Sequence, residues 1–276
     1  MPKVRLPWAH VPVSRLGLGL GRIGSIEAPI RPGQAKALIR QALDLGVNFF
    51  DTADVYGQGD SERLLGAALK GQRERAIIST KAGLLVSPKA RLASVAKPIL
   101  RPLLRIARGL RGGSASVISR PPATGNVTPA YIASCIDASL RRLRTDYIDL
   151  FMLHNPPLEG IDKDGLAEVL QAAKRSGKIR AIGISARAPQ EYAGWSAWSA
   201  VEVVQLGPDR EAGVSSFPHR TPGAPAVIAR QIFAGGGDVR ERLRVTMRAA
   251  DIVLVGTSKV AHLREDAQMI ASATVS

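Results

Sequence analysis

From residue 32 onward, short apolar runs alternate with stretches in which apolar residues recur three and four positions apart, the pattern of parallel strands joined by crossover helices. The first helical stretch opens at Pro32, where a missing N–H costs nothing, carries Ala35, Leu38, Ile39 and Ala42 on one face, and stops at Gly46. VNFFDTAD (47–54) reads as a strand, Ser61 to Leu69 as a helix capped by Asp60 and stopped by Gly71, and AIISTK (76–81) as the next strand. Thr128-Pro129 opens a helix whose Ile132, Cys135, Ile136, Leu140 and Leu143 share one face, which makes Cys135 core filler. YIDLFMLH (147–154) and IRAIGIS (179–185) are strands, separated by a helix marked by Leu166, Val169, Leu170 and Ala173 and closed by Gly177. A helix with Tyr192, Trp195 and Trp198, strands VEVVQL (201–206) and AVIARQIF (226–233), a helix over 238–250, the strand DIVLVG (251–256) and a last helix follow. With a first strand at LGLGL (16–20) the strands number eight. Near-continuous apolar strands, buried on both faces, predict a closed (β/α)8 TIM barrel forming a single domain over 1–276. Only 207–225, with four prolines and no helical period, predicts an irregular crossover.

Composition adds a globular chain of 276 residues with 45% hydrophobic residues, too apolar for a disordered polyelectrolyte. A lone cysteine closes no intramolecular disulfide and no Cys/His cluster has zinc spacing, which points to a reducing, cytoplasmic setting without a metal. Arg5, His10 and Arg15 interrupt any signal-peptide core, and no run of 18 apolar residues exists to span a bilayer. The net charge of +15 is unevenly spread. Between 84 and 127, an insertion after the third strand, eight Lys and Arg residues stand with no Asp or Glu. Its position predicts a cover over the catalytic face that favours anionic substrates; its amphipathic stretch ILRPLLRIARGL also suits contact with an anionic membrane surface. With no aromatic residue in the insertion to stack on a base, nucleic acid is not the expected partner.

Gly19-Leu20-Gly21-Arg22-Ile23-Gly24 satisfies the dinucleotide fingerprint G-x-G-x-x-G, but Pro29 and Pro32 interrupt the helix that must begin there to hold a pyrophosphate. It is read as a turn after the first strand. Chemistry in such a barrel sits at the C-terminal ends of strands. Three successive ends carry ionisable groups: Asp51 with Tyr56 five residues on, Lys81, and His154. Taken singly, each has an ordinary structural explanation. Together they converge on one mouth.

FDTADVYG with SERLLGAAL, STKAG, LHNPP after a D-Y-I-D-L strand, and VGTSKVAHLRED occur in an order that resembles the aldo-keto reductase family, over Leu16 to about Ile270. The nearest resemblance is to its bacterial sugar- and pyridoxal-dehydrogenase-like members. It implies a catalytic tetrad of Asp51, Tyr56, Lys81 and His154, and hydride transfer between a nicotinamide cofactor and a small carbonyl or alcohol substrate. The chemistry agrees: a phenol is a poor proton donor at neutral pH unless a nearby ammonium stabilises the phenolate, and a carboxylate can hold that ammonium in place. Lys81 and Asp51 are suited to those tasks, and His154 to orienting the carbonyl.

The resemblance further implies that Ser185 and Gln205 hold the nicotinamide carboxamide, that Arg230 and Gln231 meet the pyrophosphate, and that Gly256, Thr257, Ser258, Lys259, His262 and Asp266 line the adenosine end. The family's usual Asn is replaced by Ala186 and its stacking aromatic by Pro208. Lys259 favours NADP(H) slightly over NAD(H), while a carboxylate at Asp266 opposes a phosphate. The alternative from a different class is a barrel kept as a non-catalytic binding or regulatory subunit, against which the complete tetrad argues.

Overall fold

The computed structural model describes residues 1–21, 23, 30–85, 125–208, 223–232 and 238–273. The charged residues of the insertion, the proline-rich segment after Pro208 and the run after Ile232 lie outside them, and so do the expectations that concern them. Strands β3 (Leu16–Gly19), β4 (Phe49–Asp51), β5 (Ile77–Ala82), β6 (Ile148–His154), β7 (Ile179–Ala186), β8 (Val203–Leu206), β9 (Ala226–Ala229) and β10 (Ile252–Val255) close, all parallel, into an eight-stranded barrel in that order. Helices α1 (Pro32–Asp44), α2 (Asp60–Ala68), α3 (Pro129–Leu143), α4 (Lys163–Arg175), α5 (Pro189–Ala193), α6 (Val239–Ala249) and α7 (Val260–Ala273) are those of the described residues.

Period-two alternation sorts the strand residues. Phe50, Ile78, Phe151, Ile182 and Val204 pack outward with Leu38, Ile39, Ile132, Ile136 and Leu170 of the helices. Phe49, Ile77, Leu150, Met152, Ala181, Val203, Ile228 and Ile252 fill the barrel itself. The expected apolar helix faces are found, with Leu140 and Val169 half-buried at their margins.

Several local expectations need correction. The chain begins with an antiparallel pair, β1 (Lys3–Val4) with β2 (Val13–Ser14), that no periodicity announces because each strand is two residues long. Leu6 and Val13 join the inner barrel cluster, so this hairpin stops the foot. Asn48 ties it down, its Oδ1 accepting from Ser14 N at 2.7 Å and its Nδ2 donating to Pro12 O at 3.0 Å. Asp60 is the first residue of α2 rather than its cap; Gly59, at φ +85°, holds that position. The helix expected around Tyr192, Trp195 and Trp198 is only five residues long. Turns follow it, and the two indole rings pack edge to face at 5.2 Å.

Candidate functional site

On six strands the row of inward residues starts apolar at the foot and ends polar at the mouth: Phe49 gives way to Asp51, Ile77 to Ser79 and Lys81, Met152 to His154, Ala181 to Ser185, Val203 to Gln205, and Ile228 to Arg230. The mouth is therefore built by strand parity.

At its centre Lys81, 1% exposed, donates all three ammonium protons: to Asp51 Oδ1 at 2.7 Å, to Asp51 Oδ2 at 2.8 Å and to the Thr52 carbonyl at 2.8 Å. Asp51 also accepts from Gln205 Nε2 at 2.8 Å and Ser79 Oγ at 3.3 Å, while Ser185 Oγ donates to Gln205 Oε1 at 2.7 Å. The four tetrad positions meet. The ammonium lies 5.3 Å from the centroid of the Tyr56 ring, and the His154 ring meets the same phenol edge-on at 5.9 Å. With its protons committed, Lys81 can reach Tyr56 only through its charge. Ser79 was not anticipated, although its place two residues before Lys81 on one strand is a usable signal.

Tyr56 enters the mouth on a turn, Tyr56–Gly59, in which Gly57, Gln58 and Gly59 all have positive φ. Gly59 is required twice over, because a Cβ there would also stand 2.5 Å from Arg142 Cδ. An added Cβ at Gly21 would meet the ring carbons in ordinary contact at 3.4 Å. Among the described residues Gly19 and Gly21 thus do not open a helix, which begins only at Pro32.

Behind this turn lies a second polar group that the sequence did not suggest. Glu62, fully buried, accepts from Thr80 Oγ1 at 2.7 Å and from Arg142 Nε. Burial, reinforced by the Glu62 carboxylate, pushes Asp54 up from 3.8 to about 7, against the opposing pull of Arg142 and Lys81. The neighbouring Cys135 thiol is pushed by burial to about 11, which makes it an inert packing group as expected.

On the cofactor side, Ser185 and Gln205 stand together at the ends of β7 and β8 and present both donor and acceptor atoms, the pair an amide requires. A cavity of about 260 Å³ lies between the ends of β3 and β10 and the start of α7, lined by Gly19, Ile23, Ile30, Gly256, Thr257, Ser258, Lys259 and His262. Lys259 N donates to Thr257 Oγ1 at 3.1 Å where α7 begins, and a helix start with a lysine beside it fits an anionic group. Asp266 lies one turn further along α7, half-buried, its carboxyl raised to about 6 by burial and lowered by His262. Gln231 is exposed at φ +58°. Arg230 turns away from the cavity, its Nη2 donating to Ala186 O at 2.9 Å on β7. Burial lowers the proton affinity of its guanidinium, opposed by the charges of Tyr56, Asp51 and Glu191.

The neck of the insertion is pinned beside Lys81. Leu84 and Gly125 pair in an antiparallel bridge and Asn126 N donates to Gly83 O at 2.8 Å, so residues 86–124 leave and rejoin the barrel at one point.

Comparison with known proteins gives a consistent result. A profile described as "Aldo/keto reductase family" matches residues 15–215. A 6-dehydroglucose reductase of Novosphingobium aromaticivorans is 33% identical over 190 residues, 66% of this chain and 50% of that protein. A probable aldo-keto reductase of Glycine max is 29% identical over 254 residues, 86% of this chain and 62% of that protein. The chain thus spans between about half and two thirds of these relatives' lengths. Among solved structures, a putative aldo-keto reductase of Pseudomonas aeruginosa superposes with a TM-score of 0.73 at 24% identity, covering 99% of this chain and 96% of that one. An enzyme from Klebsiella pneumoniae solved with NADP and acetate gives 0.68 at 19% identity, covering 97% and 89%. At these identities the structural likeness is one of fold. Among the described residues, no helix is long and apolar enough to cross a membrane and no group of His, Cys, Asp and Glu could hold a metal ion.

Proposed function

This chain belongs to the aldo/keto reductase family, and we propose that it is a nicotinamide-dependent oxidoreductase moving hydride between NAD(P)(H) and a small carbonyl or alcohol, with Tyr56 as general acid and base. The observation that carries this reading is the continuous polar chain Ser185–Gln205–Asp51–Lys81 with the Tyr56 and His154 rings set against its end. A bound nicotinamide supplies or accepts the hydride. The protein's residues handle the proton and the charge.

As a carbonyl carbon is reduced, negative charge grows on its oxygen and the Tyr56 hydroxyl gives up its proton to it. Lys81, paired with Asp51 at 2.7 Å and 5.3 Å from the centre of the Tyr56 ring, stabilises the phenolate left behind. His154, edge-on to that ring, orients the oxygen. Read in reverse, the same groups take a proton from an alcohol, for which a sugar-type hydroxyl is the proposed class, in keeping with the 6-dehydroglucose reductase among the relatives. Ser185 and Gln205 would hold the carboxamide, and Thr257, Ser258 and Lys259 the adenosine phosphate, with Gly256 and His262 lining its cavity. NADP(H) is slightly favoured, because Lys259 attracts the additional phosphate while Asp266 opposes it. Gln231 would meet the pyrophosphate. A single buried, free Cys135 suits a cytoplasmic setting, and the basic segment between 86 and 124 would raise the encounter rate of anionic substrates.

Tyr56→Phe tests this. Carbonyl reduction should fall by roughly 10²–10⁴-fold, while NADPH affinity, read from quenching of tryptophan fluorescence, changes less than about twofold, since the phenolic proton serves the transition state only. A variant with wild-type turnover would sink the assignment. Wild-type protein that binds NADPH but reduces no carbonyl would favour the non-catalytic alternative, for which Ala186 and Pro208 speak.

A further inference from the structure

Arg230 is the inward residue beyond Ile228 on β9, anchored by its own backbone N–H to Leu206 O at 2.8 Å. Its side chain reaches over the end of β8 to the carbonyl of Ala186 on β7. At the end of β8 stands Gly207, where an added Cβ would lie 2.4 Å from the Arg187 carbonyl oxygen. The charges around it are settled among themselves: Asp51 is paired with Lys81 at 2.7 Å and Glu191 with Arg187 at 2.8 Å. Among the described residues, Arg230 has a backbone carbonyl and no carboxylate partner. Its Nε–H is buried with no acceptor among the described residues. A half-buried guanidinium in that condition lacks a counter-charge, which an anion supplies. The charges of Tyr56 and Asp51 are felt at this guanidinium, so it shares the mouth with the reacting phenol.

We propose that Arg230 is a specificity-determining residue that selects carbonyl substrates bearing a carboxylate a few bonds from the reacting carbon. The carboxylate pairs with the guanidinium while the carbonyl oxygen lies at Tyr56. A neutral substrate of the same length leaves that charge unpaired and binds more weakly. This departs from the pyrophosphate role that the sequence resemblance implies for Arg230, because the side chain runs toward β7 and away from the cavity at α7. It rests on the reading of the mouth as a carbonyl-reducing site.

The test uses the full chain with NADPH and a matched pair of probes, 4-oxobutanoate and its primary amide. Wild-type kcat/KM should favour the acid by roughly 10- to 100-fold, the range of a charge-assisted hydrogen bond. In Arg230→Gln that ratio should collapse toward one, chiefly through the KM of the acid, and Arg230→Lys should recover part of it. Equal losses on both probes, or a loss of NADPH affinity as large as the loss on the acid, would overturn the proposal, the latter restoring the pyrophosphate role. If wild type reduces neither probe, the carbonyl reading fails by itself. Calorimetric titration with succinate, an inert carboxylate, then decides on Arg230: binding abolished by Arg230→Gln upholds the anion site, and absent or unchanged binding refutes it.

Discussion

Two buried carboxylates stand at opposite ends of the barrel, and their surroundings differ in what they leave open. At the foot, Asp149 on β6 accepts from Arg73 Nη2 at 2.7 Å and from Ile78 N at 2.9 Å, and lies 3.1 Å from His10 Nδ1. The other ring nitrogen of His10 is 2.8 Å from Glu74 O, and both Arg73 and Arg180 lie over the Tyr147 ring, at 4.0 and 4.3 Å. This cluster ties the hairpin turn, the β5 entry and β6 together and ends in itself. At the mouth, Asp51 is also fully bonded, yet the chain it belongs to ends beside the Tyr56 and His154 rings. Both carboxylates are buried and ion-paired. What separates scaffold from site is whether the last groups of the network are consumed inside the protein or presented to a ligand.

Isosteric neutralisation should break the comparison most sharply. Asp149→Asn should cost on the order of 3–5 kcal/mol of stability, because it leaves arginines at the foot without their carboxylate. Denaturant unfolding would measure that, and turnover per folded molecule should stay near wild type. Asp51→Asn should also destabilise, since Lys81 loses its counter-charge, but should in addition lower turnover per folded molecule by about 10²-fold. If both variants lost turnover equally, the mouth would not be special.

Asp54 sharpens the same contrast through pH. Its carboxyl is raised from 3.8 to about 7 by burial and by Glu62, so between those values the folded state holds a proton that the unfolded state has released. Stability from this group therefore falls as pH rises from about 4 to 7, and the full penalty is present above 7. Asp54→Asn should remove it, stabilising the protein at pH 8 by roughly 1–3 kcal/mol and flattening the pH dependence of unfolding over that window. An unchanged slope would mean that Asp54 titrates normally.

The smallest effect is expected at Lys259. Its replacement by Ala should weaken NADPH by about fivefold, near 1 kcal/mol for one partly exposed ion contact, and leave NADH nearly unaffected. Equal losses for both nucleotides, in fluorescence titrations, would show that Lys259 does not read the phosphate.

The barrel was legible in the sequence because its strands are apolar on both faces and its helices carry one apolar stripe each. The meeting of Asp51, Tyr56, Lys81 and His154 was legible because three of those strands end in Asp51, Lys81 and His154. What was hidden depends on contacts across the fold. The foot hairpin has two-residue strands and no period to detect. Asp149 sits in the D-Y-I-D-L strand, but Arg73 and His10 reach it from 76 and 139 positions away. Asp54 owes its raised carboxyl to burial and to Glu62, against the pull of Arg142, which no local spacing reveals. Arg230 could be placed at a strand end, yet its reach to the Ala186 carbonyl, 44 positions away, is a contact across the fold.

The most direct test of the central claim, that the mouth transfers hydride and proton to a carbonyl, is a single-turnover incubation of the full chain with NADPH dideuterated at nicotinamide C4 and an aldehyde. Product is then read by mass spectrometry and NMR. The account predicts one deuterium on the carbinol carbon with wild-type protein and essentially none with Tyr56→Phe on the same timescale. Folded wild-type protein that transfers no deuterium to any aldehyde offered, at protein concentrations matching the cofactor, would contradict it.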